Sequence, residues 1–457
     1  MNPKINCKIV NGKIIIIVAA IFVISCTNLE PKELLEPEEV MSKEKLLTTQ
    51  SAEKTTIKQV IDKSESLTLS QVLACIRKYN PTLQATKARI LETQGKSQQK
   101  MLYPNPTLEF ESEDMPVDNF GDFGRAENSF ILRQKFIMPW KRNATQATLN
   151  KQIDIAKQDY VILKNRVLTE GKRTFFQLLA TQEKLTTTRR LLEIVQTSLD
   201  VSKKLVKTGE ARNVESIRAQ VEYSQAILKM QELEGKVDNT YQKLFLLMGT
   251  PNLKIKKLQG VLLTQIPEFD MKEYNLKDHP ELKKNELGYD LSQLKLQQAE
   301  EERWPDVQVG FGVGNNNNED EEFFRFSLQI PLPIFNRNQG GISEAKGSKQ
   351  RAESETQATR NEIKININQY LRLYLVAKKQ VDRYKKDIIP EANQAFELTK
   401  KLYQSSEVGQ IELLNAQQTL IKTELGYTDS LAKLWNAVIY LEYFTGSRLL
   451  PKSIDRQ

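Results

Sequence analysis

At 457 residues, 39% hydrophobic and 27% charged, the chain is long enough for one large domain or two to three ordinary ones. Its net charge of +8 is small beside 66 basic and 58 acidic residues, and no basic run is interleaved with aromatics, which argues against nucleic acid as a partner. The 16 prolines and 19 glycines are few for this length and clustered, and the intervals between them are rich in Gln, Lys, Leu, Glu and Ala, the composition of long helices.

The N-terminus reads as an export signal. Lys4, Lys8 and Lys13 precede an apolar run from Ile14 to Ile24, too short to span a bilayer as a helix. It ends in Val23-Ile24-Ser25-Cys26, which resembles the lipobox of bacterial lipoproteins, whose cysteine thiol is acylated after cleavage. Residues 1–25 are thus expected to leave as a lipoprotein signal peptide, with Cys26 as the lipid anchor. Thr27 follows where resemblance to inner-membrane lipoproteins would call for aspartate, which favours the outer membrane. Cys7 would be lost, Cys26 blocked and Cys75 left without a partner, so an exported chain without disulfides must be stabilised by burial and assembly. Residues 26–66, rich in Glu, Lys and Thr, read as a tether.

A short amphipathic helix with Leu67, Leu69, Val72, Leu73 and Ile76 on one face should stop before Asn80-Pro81. An internal repeat follows. Asn80-Pro81-Thr82-Leu83 matches His279-Pro280-Glu281-Leu282, and Tyr103-Pro104 matches Trp304-Pro305. Gln134, Trp140, Arg142 and Asn143 match Gln329, Phe335, Arg337 and Asn338; Lys203-Lys204-Leu205 matches Lys400-Lys401-Leu402. Glu210, Val214, Glu215, Ala219 and Gln220 match Glu407, Ile411, Glu412, Ala416 and Gln417. The first copy is assigned to 67–275 and the second to 276–446, with a tail at 447–457; each reads helix, strand, turn, strand, long helix, turn, helix.

Strands are predicted at about 106–114 and 129–137, and at about 306–314 and 323–332. In the second copy Val307, Val309, Phe311 and Val313 alternate with Gln308, Gly310, Gly312 and Gly314, and Phe324, Phe326 and Leu328 with Arg325, Ser327 and Gln329. Runs of about nine residues suit a tilted transmembrane strand, although a soluble hairpin gives the same alternation. Long helices are expected from Trp140 to about Lys207 and from Asn338 to about Ser405, each ~100 Å, the second bent at Pro390. In each copy the two shorter helices, placed end to end, match one long helix, so a wall could alternate long helices with stacked pairs. Leu163, Val167, Leu178, Leu185, Leu192, Val195 and Leu199 form a coiled-coil-like seam.

On the doubled unit, the run from Pro104 to Leu108, the run from Gln134 to Arg142 and the turns ending Ala219-Gln220 and Ala416-Gln417, the chain resembles the TolC family of outer-membrane efflux proteins, above all its lipid-anchored heavy-metal and drug efflux members. The resemblance spans about Leu67 to Gly446. It implies a mainly α fold with a small β part: a long α-helical barrel, and four strands per chain in a twelve-stranded transmembrane β-barrel shared by a homotrimer. Four strands alone cannot close a barrel in lipid. Val309, Phe311, Phe326 and Leu328 would face outer-membrane lipid, Gly310, Gly312, Gln329 and Glu109 would line the pore, and the turns at Pro116 to Glu127 and Asn315 to Glu322 would face the exterior. The implied function is a passive exit duct for metal ions or small toxic compounds, with a periplasmic adaptor and an inner-membrane pump of the RND type as partners. By resemblance, the gate lies at the turns after the long helices, where Glu412 and Asn415 occupy positions that usually carry aspartate, Glu215 and Arg218 their equivalents, and Tyr403 the place of a gate-stabilising tyrosine. One departure is Ser406, which stands where Gly209 supplies the turn in the first copy.

The sequence has no HExxH, CxxC or GxSxG motif, and no cofactor is expected. His279 precedes a proline that opens a helix, so a cap or surface role is favoured over catalysis. Gly310-x-Gly312-x-Gly314 lies inside a strand with no helix behind it, unlike a phosphate loop. A duct for protein secretion and, from another class, a periplasmic coiled-coil scaffold are the alternatives; the alternating strands and the lipobox argue against the scaffold.

Overall fold

A computed structural model describes residues 66–114, 121, 123–250, 257–258, 260, 276–317, 319 and 321–446. The export signal, Cys26, the tether up to residue 65, part of the turn from Pro116 to Glu127 and the tail after 446 lie outside the described residues.

The chain enters through β1 (Ser66–Leu67), paired in parallel with β4 (Lys257–Leu258), a contact that the sequence did not announce. Helix α1 (Leu69–Tyr79) starts at a reciprocal cap: Thr68 Oγ1 accepts from Gln71 N at 3.3 Å, and Thr68 N donates to the Gln71 side chain at 2.9 Å. Its buried Leu73 and Ile76 lie over Gly171, where an added Cβ would collide with Ile76. Helix α2 (Pro81–Met101) has proline in its first turn, whose missing N–H would have had no partner anyway.

Strands β2 (Thr107–Glu113) and β3 (Glu127–Phe136) lead into α3 (Pro139–Thr208), an unbroken helix of 70 residues that ends where Gly209 turns left-handed at φ 83°. Helix α4 (Asn213–Met248) returns. The second half repeats the plan with α5 (Pro280–Glu301), β5 (Val307–Asn316) and β6 (Glu321–Gln329). There follow α6 (Gln339–Arg383), a π turn (Tyr384–Ile388), α7 (Ile389–Gln404) and α8 (Gln410–Thr445). The fold is mainly helical with one four-stranded antiparallel sheet of order β2-β3-β5-β6, plus the β1–β4 pair.

One expectation is corrected and one gains detail. The last strand stops at Gln329 instead of reaching 332, because Pro331 and Pro333 cannot donate to a ladder, and the helix beyond begins at Gln339, after Asn338 adopts a left-handed φ of 57°. At Pro390 the chain runs through a π turn just upstream: Ile389 N donates to Tyr384 O, five residues back, so the helix widens where proline withholds its hydrogen bond.

The helices form one layer. Helices α2 and α4 pack on α3; α5 and α8 pack on both α3 and α6; α7 packs on α8. Long helices thus alternate with pairs of short ones. In the seam, Val167, Leu178, Val195 and Leu199 are buried, and Leu163, Leu185 and Leu192 are half-buried. Trp435, fully buried, stacks on Phe176 with ring centroids 5.4 Å apart, joining α8 to α3. Towards the far end Leu191, Ile194, Val195, Ala226, Leu414 and Ile421 form a common core of α3, α4 and α8.

His279 has the capping role but not the surface one. It is buried and caps α5, its Nδ1 accepting from Glu281 N at 3.3 Å, stacked on Phe444 and edge-on to Tyr443. Its Nε2 is buried without a partner among the described residues. Burial holds its pKa below the usual histidine value, against a weaker upward pull from the Glu281 charge. The unfolded chain therefore takes up the proton first. The stability associated with the neutral ring is present above about pH 6.5 and declines as pH falls through the lower folded value. Asn80, at the equivalent place, caps α2 through Oδ1, accepting from Leu83 N at 3.1 Å, and its amide donates to Leu247 O at 2.8 Å. His279→Asn is therefore expected to keep the cap and flatten the loss of thermal stability between pH 7 and 5; melting curves across that range check it.

Candidate functional site

The sheet presents two unlike faces. Across the register, Leu108 faces Leu132, Phe110 faces Phe130, Leu132 faces Phe311, Phe311 faces Phe326 and Val309 faces Leu328. These apolar side chains share one face, and most of them are exposed, Phe326 by 69%. Val309 and Phe311 are half-buried by their neighbours. The exposed apolar surface continues below the sheet through Tyr103, Trp304, Leu332 and Phe335, the last 90% exposed.

The opposite face is ionic, which pattern reading caught only in part. Arg133 pairs with Glu109 and with Glu111 at 2.9 Å; Arg325 pairs with Glu111 at 2.7 Å, with Glu127 and with Glu113 at 3.6 Å. The signal lay in the alternation itself, since these arginines and glutamates occupy the positions between the apolar residues. Gly310 and Gly312 are on this face but do not line open space. Both are buried, and a Cβ on Gly310 would collide with Ser327 Oγ, while one on Gly312 would sit 2.7 Å from Phe130 O and 2.8 Å from Ile131 Cγ1. They are glycines because Ile131, Arg133 and Ser327 lie across them, which corrects the expectation that they line a pore. Gln329 is exposed and Glu109 is held by Arg133.

At the far end the two turns are superposable in their hydrogen bonds. Gly209 N donates to Val206 O at 3.2 Å and Glu210 N to Leu205 O at 2.8 Å; Ser406 N donates to Tyr403 O at 3.0 Å and Glu407 N to Leu402 O at 2.9 Å. Ser406 reaches this shape at φ 62°, a left-handed conformation that costs a residue with a Cβ about 1–2 kcal/mol. Ser406→Gly is thus expected to stabilise the turn by about 1 kcal/mol, read as a higher denaturation midpoint with unchanged assembly.

Glu412 lies in the first turn of α8, exposed, its carboxylate folded back so that Oε2 would be 2.9 Å from a Cβ on Gly409. Asn415, one turn on, is exposed, as is Tyr403 near the end of α7. Glu215 and Arg218 are exposed on the first two turns of α4. The five candidates thus gather at the two helix-to-helix turns, and among the described residues no ion pair ties one to another. Among the described residues no group of three or more His, Cys, Asp or Glu side chains is placed to hold a metal ion, and no helix is long and apolar enough to cross a membrane.

A four-stranded sheet, apolar on one face and charged on the other, set on a layer of paired long helices is a combination with known counterparts. Residues 274–447 match the outer membrane efflux protein family. The chain is 22% identical over 382 residues to the cobalt-zinc-cadmium resistance protein CzcC of Cupriavidus metallidurans, covering 83% of this chain and 90% of that one. Among solved structures, a membrane protein from Pseudomonas aeruginosa matches with a TM-score of 0.69 at 15% identity, over 82% of this chain and 90% of that one. The transmembrane channel protein CusC matches with a TM-score of 0.69 at 15% identity, over 83% and 92%. The resemblance read from the repeat is borne out, and the structural neighbours share the fold of helical layer and small antiparallel sheet.

Proposed function

We propose that three copies of this chain form an outer-membrane exit duct that serves a tripartite efflux pump. The observation that carries this reading is the sheet: apolar and exposed on one face, ion-paired on the other, unpaired at both edges β2 and β6, and continuous with a 70-residue helix. Such edges do not persist in lipid, so the strands must be completed by other copies. Exposed large apolar residues support where those copies meet. They gather on α4 (Val214, Ile217, Val221, Leu228) and on α6 and α7 (Ile365, Leu373, Val376, Leu398), the two flanks of the layer, whereas α5 and α8 in its middle have none among the described residues. Flank meeting unlike flank is a head-to-tail contact, which makes a ring when the rotation between copies closes. Three copies would bring twelve strands.

In this reading the exposed aromatic and apolar residues below the sheet sit at the inner membrane–water boundary, Cys26 carries the lipid, and the far turns form the periplasmic tip, where an adaptor docks and links the duct to an inner-membrane pump of the RND type. The name of the relative CzcC points to divalent metal ions as cargo; small toxic compounds are the other class. Conductance of the purified full chain in a planar bilayer tests the duct: discrete, trimer-sized channels are expected, and a protein that inserts without conducting overturns it.

Three-fold repetition of Glu412 would concentrate negative charge at the tip. Glu412→Gln is therefore expected to weaken cation selectivity and relieve block by polyvalent cations applied from the periplasmic side. Unchanged selectivity and block in single-channel records would leave Glu412 as a helix-start residue, favourable at the positive end of α8.

A further inference from the structure

Between α3, α4 and α8 lies a cleft of about 550 Å³, a size suited to an organic molecule. Five cations line it: Arg173, Lys184, Lys229, Lys236 and Lys433. One acid lines it, Asp429, and it is held by Lys184. Outside the lining, Glu232 pairs with both Lys229 and Lys236, and Glu170 with Arg173 and Lys243. Lys433 has no acidic partner among the described residues. The site is thus left with a surplus of positive charge. Its apolar side is made by Phe176, Leu233, Leu425 and Ile439. Thr188 borders it too, fully buried, with an Oγ1 that has no hydrogen-bond partner among the described residues.

Helix α1 packs on α3 over Gly171, and Gly260 approaches Phe175 and Leu179 on the same side. At 3.6 residues per turn, Arg173, Gln177, Ala180 and Lys184 fall on the opposite side of α3. If the layer is a tunnel wall, a helix inside would obstruct the bore, so α1 lies outside and the cleft opens inward.

We propose that this cleft binds an amphipathic organic anion, its acidic head met by Lys433 and Lys229 and its apolar body by Phe176 and Leu233. Only the direction in which the cleft opens rests on the duct reading; the binding does not. A cation would find no acid free to receive it and would be repelled by the surplus charge.

The test uses the full chain in lipid nanodiscs and two water-soluble probes of similar size, naphthalene-1-sulfonate and 1-naphthylmethylammonium, titrated by calorimetry. Saturable binding of the sulfonate at one site per chain is expected, with none for the ammonium. Lys229→Gln combined with Lys433→Gln, both exposed positions whose loss leaves the core intact, should weaken the sulfonate about a hundredfold, the loss of two charge-assisted hydrogen bonds. No saturable sulfonate binding, equal binding of the ammonium, or undiminished affinity in the double variant would overturn the site. Bilayer recordings keep the two readings apart: a channel that conducts but binds no sulfonate sinks the cleft and leaves the duct, and a protein that binds it without conducting does the reverse.

Discussion

Arginine in place of Phe326 is expected to cost about 2–4 kcal/mol and to deplete the assembled, membrane-inserted protein. Phe326 stands mid-strand on β6, opposite Phe311, and the ring leaves most of its surface outside the single chain. In a barrel that surface meets hydrocarbon, where a guanidinium finds neither water nor a carboxylate. The control is Gln329→Arg, exposed on the ionic face of the same strand and opposite Gln308, where the charge remains hydrated. The fraction of oligomer recovered from outer-membrane extracts on semi-native gels measures both. Equal recovery would remove the membrane-barrel reading, because hydrocarbon on one face and water on the other must tell the two arginines apart.

Gly312→Leu is the second large effect, about 1–3 kcal/mol of destabilisation in every copy. A Cβ there would lie 2.7 Å from Phe130 O and 3.1 Å from Ile131 Cα, backbone atoms that cannot swing aside as a side chain can. Even Gly312→Ala should lower the denaturation midpoint. Gly288→Ala on α5, where an added methyl meets nothing within 4 Å, should not. If Gly312→Ala assembled and melted like the wild type, the inner face would be more open than the packing of β3 over β5 implies.

Much of this architecture could be read from the sequence because its strongest signals are local and doubled. Apolar alternation placed the strands, proline-free runs placed the long helices, and the second copy checked the first. What escaped depends on contacts between distant segments. No pattern in Ser66-Leu67 announces its partner at 257–258, and nothing in Gly310 tells a residue facing open space from one covered by Ile131 and Arg133. The Ser406 turn was the reverse case: the local rule asked for glycine, and the surrounding helices hold serine in the same shape. The gate residues were placed by resemblance alone, and nothing within a single chain ties one to another.

The π turn before Pro390 has a bearing on how the two halves stay level. Matching residues stand 195 positions apart where the long helices begin, Asn143 against Asn338, but 197 apart at their far ends, Lys203 against Lys400. Two residues added to a rigid rod would push its end ~3 Å out of line and rotate it by roughly 200°. A π turn holds an extra residue in one widened turn, and Tyr384, its first residue, lies so close over Gly426 of α8 that any side chain there would collide with its hydroxyl. The turn takes up part of that excess where the second long run packs on α8, and a deletion within Tyr384–Ile388 should shift the end of α7 against α8 and not merely shorten a helix.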